Sequence, residues 1–284
     1  MSQFADSKEA VYTNITKAYK NKKKAKQLNL RGKDLFIVPD TIKYLKQLKF
    51  INLMNNHLES IEEGILTLQK LQMLNLYGNS IKYLPIEINK WRKLRKLEIT
   101  KNKIKRIPKS IGKLKKLKFL YAGLNELELL PKEIGKCKSL EELELQNNQL
   151  SFLPNSICKL KKLRTLNLGY NQLNELDGDW FKFKNLQELN LEMNQIKVLP
   201  KEIGNIKSLI TVILTKNKLV ELPNSICNLI NLELLILADN SLTSLPKEIG
   251  KMIKLKTLVL TNNKFSEKEK NRIRKELSNC SIIF

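Results

Sequence analysis

The sequence predicts an α/β solenoid, in which one short strand-and-return unit is repeated and stacked along the chain. Three observations predict it: apolar residues recur with a period of 23, an asparagine holds one fixed position, and all prolines hold another. A fixed period of this length is typical of a repeat architecture, because each unit buries its apolar face only against its neighbours. The eleven copies begin at Ala25, Leu48, Leu71, Leu94, Leu117, Leu140, Leu163, Leu186, Leu209, Leu232 and Leu255.

The first part of each copy is predicted to be a β-strand with one buried face. In the copy that begins at Leu140, Leu143 and Leu145 alternate with Glu142, Glu144 and Gln146. Alternation with a period of two places the leucines on one side of a strand and the polar residues on the other.

An asparagine is predicted to end each strand and to satisfy buried backbone groups in the following turn, because its amide both donates and accepts. Only the first copy departs, with Lys33, as expected of a terminal repeat. The column consists of Asn56, Asn79, Asn102, Asn125, Asn148, Asn171, Asn194, Asn217, Asn240 and Asn263.

The prolines mark the start of the return segment. Because proline fixes φ and lacks an N–H, we expect each one at the first position of a short helix. Glu62 and Asp177 replace proline in two copies. The eight prolines are Pro39, Pro85, Pro108, Pro131, Pro154, Pro200, Pro223 and Pro246.

The combined pattern LxxLxLxxNxL followed by LPxxIxxLxx resembles the leucine-rich repeat family, in the 23-residue subtype found in bacterial proteins. The resemblance covers about Ala25 to Phe265. It implies a horseshoe with a concave parallel β-sheet, short helical or 3-10 return segments, and helical caps at both ends. It also implies a role in protein–protein recognition, which in some members is directed at host targets. The implied domains are an N-terminal helical cap (1–24), eleven repeats (25–265) and a C-terminal cap (266–284).

The segment before the repeats is predicted to be a helix that covers the open end of the solenoid. The residues of one mainly apolar face recur at helical spacing; they are Ala10, Val11, Asn14, Ile15, Ala18 and Tyr19. The lysine-rich run 20–24 is interpreted as a solvated helix end, with a polyanion contact as the alternative. The chain shows no apolar segment typical of a signal peptide, which favours a cytoplasmic location; a secreted or cell-surface location is the alternative.

The chain after the repeats is predicted to form a helix and a short strand. Ser266 and Glu269 have the spacing of a capping box. Ile273 and Leu277 continue as an apolar pair, and residues 282–284 are expected to close the last strand edge.

Composition sets further limits on the kind of protein. The 284 residues carry a formal net charge of +24, and no apolar run has the length of a membrane span. The four cysteines are interpreted as free thiols, since Cys158 and Cys227 lie three copies apart and Cys137 replaces a core leucine. A monomer without cofactor or metal is expected.

Residues two, four and six positions after the first apolar residue are predicted to form the concave face, in three zones. An aromatic and methionine-rich zone contains Phe50, Met54, Met73, Tyr77, Phe119 and Tyr121. An acidic zone contains Glu98, Glu142, Glu144, Glu188 and Glu192. An apolar zone contains Ile213, Leu234, Ile236, Ala238 and Val259. Contiguous exposed apolar residues indicate a protein interface; strand propensity alone is the alternative.

The acidic zone has several interpretations. The carboxylates are too dispersed for a compact calcium cage, and no nucleophile lies near them for acid–base catalysis. A patch for a basic partner is the favoured interpretation, and repulsion of the protein's own lysines is the alternative.

The excess positive charge is predicted on the outer side of the repeats. One column consists of Arg92, Lys115, Lys138, Lys161, Lys184 and Lys207. A parallel column consists of Lys90, Lys113, Lys136, Lys159 and Lys182. Such columns suit an acidic glycan or an anionic surface, although a lysine-favouring composition explains them equally well. No motif for sequence-specific nucleic-acid recognition is present.

Together these features predict a non-catalytic module that binds a protein partner, in a host or on a cell surface, through its concave face. The single histidine, His57, lies in a turn without a catalytic constellation, and no nucleotide or zinc motif is found, so no enzyme activity is expected. The alternatives are a polyanion-binding adhesin that acts through the lysine columns and an intracellular signalling scaffold.

Overall fold

The structure, a computed structural model, describes residues 9–284, except for the side chain of Trp180. The chain forms two compact units; the first ends at Leu143 and the second is Glu144–Phe284. Two-residue and three-residue strands recur through both units. They are β1 (Val11–Tyr12), β2 (Gln27–Asn29), β3 (Phe50–Asn52), β4 (Met73–Asn75), β5 (Lys96–Glu98), β6 (Phe119–Tyr121), β7 (Glu142–Glu144), β8 (Thr165–Asn167), β9 (Glu188–Asn190), β10 (Thr211–Ile213), β11 (Leu234–Ile236), β12 (Thr257–Val259) and β13 (Ser281–Ile283).

The strands confirm the predicted repeat. In the first unit, β1 to β6 lie side by side in chain order and pair in parallel. In the second unit, β8 to β13 do the same. Residues 23 positions apart are register partners from β2 to β6, as with Phe50 and Met73. The fold is therefore the predicted leucine-rich repeat solenoid.

The core consists of the repeated leucines and isoleucines, which are almost completely buried. In the third copy, Leu71, Leu74, Leu76 and Ile88 are 0 % exposed, and Trp91 is equally buried at a position where five other copies have leucine. The Trp91 indole donates to the Ile65 carbonyl at 3.1 Å, so its polar group is satisfied inside the core.

The return segments are short helices, as predicted, and most are 3-10 helices. The exception is α2 (Glu63–Leu66) in the second copy. The 3-10 helices are Asp40–Tyr44, Ile86–Lys90, Lys109–Lys113, Lys132–Lys136, Asn155–Lys159, Gly178–Phe181, Lys201–Asn205, Asn224–Asn228 and Ile249–Lys251.

The predicted position of the prolines is wrong by one residue in most copies. Pro154, for example, precedes its helix with φ −69° and ψ 140°, and its carbonyl accepts from Ile157 N–H at 2.9 Å. The extended ψ turns the chain into the return segment, while the fixed φ and missing N–H still suit the site. Glu62 and Asp177 take the same capping position in their copies.

The asparagine column is confirmed as a hydrogen-bonded ladder. The Asn102 amide accepts from Ile81 N–H at 3.0 Å and donates to the carbonyls of Leu76 and Ile99, both at 3.0 Å. Each side chain thus links the turn of its own copy to the copy before it. Lys33, which replaces the first asparagine, instead donates its backbone N–H to Asn56 Oδ1 at 3.0 Å.

The residue before each ladder position adopts a left-handed conformation, which the sequence pattern did not predict. Asparagine and glycine, which tolerate positive φ, fill some of these positions, but lysine, leucine, tyrosine and methionine fill others. The column consists of Gly32, Asn55, Gly78, Lys101, Leu124, Asn147, Tyr170, Met193, Lys216, Asp239 and Asn262, with φ between 51° and 66°.

The N-terminal prediction of one amphipathic helix is wrong in part. Val11 and Tyr12 form a strand that pairs with β2, and the helix α1 (Ile15–Lys20) begins only after Asn14, whose side chain caps it. Of the helix residues only Ala18 is buried. The preceding segment pairs with the open edge of the sheet instead of extending the helix. The first eight residues of the predicted cap lie outside the described residues. The division into caps and repeats remains a prediction.

The C-terminal helix is α3 (Glu267–Glu276), and Ser266 caps it by accepting from Glu269 N–H at 3.3 Å. Glu269 does not return the bond to Ser266 as a capping box requires. Its carboxylate accepts from Leu245 N–H at 3.0 Å and from Arg272, which holds the pKa of Glu269 below its usual value. Ile273 and Leu277 are buried, and β13 pairs with β12 as predicted.

Among residues 9–284, no helix is both long and apolar enough to cross a membrane.

Candidate functional site

The predicted binding residues lie on one side of the strands, which we call the sheet face. It comprises, in each unit, the residues two, four and six positions after the first apolar residue of a copy. The middle residue of nearly every three-residue strand is buried in the core, whereas its two neighbours are half-buried or exposed, apart from the buried Gln27. The alternation of side chains along a strand therefore places the predicted residues on the side away from the core.

In the first unit, the aromatic and methionine-rich zone is not continuous. Phe50 and Met73 are register partners on β3 and β4. Phe119 and Tyr121 lie together on β6, with ring centroids 6.4 Å apart. Between the two pairs, β5 contributes Lys96, whose ammonium lies 4.4 Å from the centroid of the Tyr121 ring. A cation–π contact therefore separates two apolar clusters.

The two remaining members of this zone, Met54 and Tyr77, lie just after the strands and not within them. Met54 and Tyr77 follow β3 and β4 and are half-buried. Their backbone N–H groups donate to Asn52 and Asn75 at 3.1 and 3.0 Å. These bonds hold the chain in a turn at the strand end, which fixes where the two side chains leave the sheet.

This turn has a polar requirement that sequence reasoning missed. Asparagines at the fourth position accept from the N–H two residues further on, and the same bond recurs at Arg31, Met54, Tyr77, Gly169 and Glu192. The sequence contains a signal for this turn: in all but the first of these copies an asparagine ends the strand and a second asparagine, four residues later, forms the ladder.

Glu98 fills this turn position and does not act as a free acidic group. Its carboxylate accepts from Thr100 N–H at 2.9 Å, and burial raises its pKa above the usual value. Glu142 is also engaged, because its carboxylate accepts from the Tyr121 hydroxyl. In the first unit, the predicted acidic zone is therefore part of the local structure of the sheet face.

In the second unit, Glu188 and Glu192 lie on or just after β9. Glu188 is exposed and accepts weakly from the Thr165 hydroxyl at 3.4 Å, and Glu192 is half-buried beside the Tyr170 hydroxyl, also at 3.4 Å. Neither carboxylate pairs with a lysine or arginine in the part of the chain that the structure describes. Glu144 lies on β7 and is half-buried. The second unit thus presents carboxylates that a basic partner can reach.

The apolar zone of the second unit forms an ordered row. Ile213, Ile236 and Val259 are register partners on β10, β11 and β12. Ile283 on β13 extends the row, being paired with Val259 and 48 % exposed. Leu234 lies beside this row at the start of β11, whereas Ala238 is only 8 % exposed. Four adjacent strands therefore carry aliphatic side chains on the sheet face.

The lysine columns are exposed on the opposite side, as predicted, but some of their members have a structural role. The Lys115 ammonium donates to the carbonyls of Gly112 and Lys136 at 2.7 and 3.1 Å. Lys207 reaches the Asn228 carbonyl at 2.9 Å in the same way. Such contacts satisfy carbonyl groups at the ends of the return helices.

The thiols and the histidine show no catalytic arrangement. Cys137 and Cys227 are buried, and burial raises the pKa of each thiol to about 11, which makes them poor nucleophiles. Cys158 and Cys280 are half-buried. His57 stacks on Phe36 with centroids 4.9 Å apart, and its Nε2 lies 3.4 Å from an Asp34 carboxylate oxygen. Within residues 9–284, no group of three or more His, Cys, Asp and Glu is arranged to hold a metal ion.

Comparison with known proteins places these features in a family. A family model described as a leucine-rich repeat region matches residues 28–122 and 178–281, which together exceed half of the chain, and a model of two leucine-rich repeats matches 138–179. No curated protein matches the chain.

Solved structures that are similar to this chain come from bacteria and plants. An internalin, InlF, from Listeria monocytogenes is 17 % identical with a TM-score of 0.75, and the match covers 92 % of this chain and 74 % of that one. A plant peptide hormone receptor, RGFR1, solved in complex with RGF2, is 29 % identical with a TM-score of 0.74, over 90 % of this chain. A leucine-rich repeat protein of Leptospira interrogans is 29 % identical over 97 % of this chain and 100 % of its own, with a TM-score of 0.48.

The chain spans about half the length of two receptor chains that it matches, 46 % for the plant receptor RGFR1 and 51 % for a TDR receptor. The family model matches more than half of the chain, and the ladder and parallel strands fit it. The chain belongs to the leucine-rich repeat family.

Proposed function

We propose that this chain is a non-catalytic protein-interaction module whose sheet face binds a protein partner. Leucine-rich repeat proteins are generally binding modules, and the solenoid presents a broad, repetitive surface for that purpose. The observation that carries the proposal is the row Ile213, Ile236, Val259 and Ile283 across four adjacent strands of the second unit. Contiguous aliphatic side chains that stay in contact with water favour association with another protein.

The chemistry beside the row indicates the kind of partner. On β9, Glu188 and Asn190 are register partners of Thr211 and Ile213 on β10, so carboxylates lie next to the aliphatic row within the second unit. A partner with apolar anchors flanked by lysine or arginine side chains matches this face. The first unit adds aromatic clusters at Phe50–Met73 and Phe119–Tyr121, which are suitable anchors for the same type of ligand.

The plant receptor RGFR1, solved in complex with RGF2, supports a polypeptide ligand by similarity. The polyanion-adhesin alternative is weaker for two members of the lysine columns, because Lys115 and Lys207 donate to backbone carbonyls. These two lysines therefore have a structural reason to be present.

The test is capture of a partner by the immobilised chain, repeated with paired variants. Tyr77→Ala with Tyr121→Ala should reduce capture if the first unit contributes anchors. Glu144→Lys with Glu188→Lys should reduce capture of a basic partner. The matched control is Tyr44→Ala with Tyr83→Ala, which removes two exposed tyrosines that lie away from the sheet face.

Salt separates the proposal from polyanion binding. At 1 M NaCl the Debye length is about 3 Å, so exposed charge pairs contribute little while apolar contacts persist. Capture through the sheet face should survive this wash. Loss of capture at 1 M NaCl, together with unchanged capture by both sheet-face variants, would place binding on the lysine-bearing side instead.

A further inference from the structure

The first unit contains a groove on its return side, away from the sheet face. Its volume is about 500 Å³, within the usual range of small-ligand sites. All lining residues are polar or cationic; they are Gln69, Lys70, Asn89, Lys90, Arg92 and Lys93. The groove thus combines four cations and two amides, with no carboxylate in its lining.

The groove lies where two successive copies differ in their return segments. The second copy returns through α2, which Thr67 ends by donating its hydroxyl to the Gly64 carbonyl at 2.7 Å. The third copy returns through the 3-10 helix Ile86–Lys90, followed by the buried Trp91. Of the groove residues, Gln69 and Lys70 follow α2, and Asn89 and Lys90 end the 3-10 helix. Arg92 and Lys93 come after that helix, so the arrangement is particular to this pair of copies.

The positive charge of the groove is not neutralised by the protein. Lys90, Arg92 and Lys93 form no ion pair with any of residues 9–284, and the Lys70 ammonium donates only to the neutral Gln47 amide oxygen, at 2.6 Å. In the next copy, Lys115 holds the repeat position of Arg92 but donates to two backbone carbonyls. The Arg92 guanidinium makes no such contact with any of the described residues, which leaves its planar set of donors available for an anionic group.

The lining also narrows the chemistry of the ligand. None of the six residues is aromatic, so the groove offers no platform for stacking nucleic-acid bases. None is aliphatic, so the apolar surface of the groove consists of side-chain stems such as the methylene groups of its lysines. Gln69 and Asn89 can both donate to and accept from hydroxyl groups, while the cations suit sulfate or carboxylate. We propose that this groove binds an acidic oligosaccharide, and this proposal does not depend on the sheet face.

The experiment titrates the full chain with a heparin-type sulfated tetrasaccharide at 0.15 M NaCl, where long-range charge effects are screened. The groove variant is Lys90→Gln with Arg92→Gln and Lys93→Gln. Its matched control is Lys113→Gln with Lys115→Gln and Lys116→Gln, which removes three charges from the same repeat positions of the next copy. A single-stranded oligonucleotide of equal charge is titrated in parallel, and circular dichroism checks that each variant folds.

We expect the groove variant to bind the tetrasaccharide roughly tenfold more weakly, as the loss of three exposed ion pairs predicts, and the control variant to stay within about threefold of the parent. Equal losses in the two variants would show that net charge governs binding, and the groove would then have no special role. No binding by the parent chain would also overturn the proposal. Tighter binding of the oligonucleotide than of the tetrasaccharide would overturn the assignment to a glycan.

Discussion

At the scale of single residues, the asparagine ladder is the clearest case of one side chain with several obligatory partners. Asn102 is 9 % exposed and bonds to backbone groups of two copies. A buried backbone group that loses its partner destabilises the fold by more than an average hydrogen bond stabilises it, because the cost of removing that group from water is no longer offset.

Asn102→Ala should therefore lower the free energy of unfolding by about 1–3 kcal/mol. The control is Lys33→Ala, which keeps the backbone N–H that donates to Asn56 and removes only an exposed side chain. Urea denaturation of both variants provides the measurement. Equal midpoints for the two variants would refute the hydrogen-bond role of the ladder.

The left-handed column makes a second residue-scale prediction. Lys101 adopts φ 59°, a conformation that asparagine tolerates better than lysine does. Lys101→Asn should therefore raise the free energy of unfolding, by up to about 1 kcal/mol. Lys116→Asn removes the same charge from an exposed position outside the left-handed column and serves as the control. The prediction fails if thermal denaturation shows the same shift for both.

Residue types and spacing predicted the core and the ladder but not the local role of polar residues on the sheet face. Glu98 was predicted as a partner-binding carboxylate because it points away from the core. In the structure it accepts from Thr100 N–H and holds the turn. A period of two indicates which side of a strand a residue occupies, whereas a bond to the backbone two residues later depends on φ and ψ.

At the scale of elements, the strands and 3-10 helices followed from the repeat because each copy supplies the same interactions to the next. The structure of the N-terminal segment could not be predicted in this way. Val11 and Tyr12 fitted a helical pattern, yet they pair with Gln27 and Leu28 of β2. An open sheet edge offers unpaired N–H and C=O groups to any adjacent segment, and this long-range effect is invisible to local periodicity.

The second copy offers an element-scale prediction. Glu62 stands where most copies have proline, with φ −62° and ψ 144°, and its side chain caps no N–H group of α2. These angles suit proline, so Glu62→Pro should stabilise the protein by about 0.4–1 kcal/mol, because proline lowers the conformational entropy of the unfolded chain. Asp177→Pro should stabilise it less, because the Asp177 side chain accepts from Asp179 N–H at 2.8 Å. A lower melting temperature for Glu62→Pro would show that α2 requires the glutamate.

At the scale of the whole molecule, the formal net charge of +24 and the apolar sheet face suggest two different kinds of association. The net charge follows from composition, but the structure separates cations that donate to carbonyls, such as Lys115, from those without a partner among residues 9–284, such as Arg92. The row of aliphatic residues was predicted from repeat positions. Its extension to Ile283 was not, since β13 lies outside the repeats.

The central claim is that the sheet face supplies the anchors for a protein partner. The most direct measurement is the dissociation constant of the captured partner for the parent chain and for Ile213→Ser with Ile236→Ser. Val198→Ser with Val220→Ser is the control, because each valine is 55 % exposed and lies away from the sheet face.

We predict that the isoleucine variant binds at least roughly tenfold more weakly, since buried apolar anchors dominate interfaces, and that the valine variant binds like the parent. Unchanged affinity in the isoleucine variant, or an equal loss in both variants, would contradict the assignment of the binding site to the sheet face.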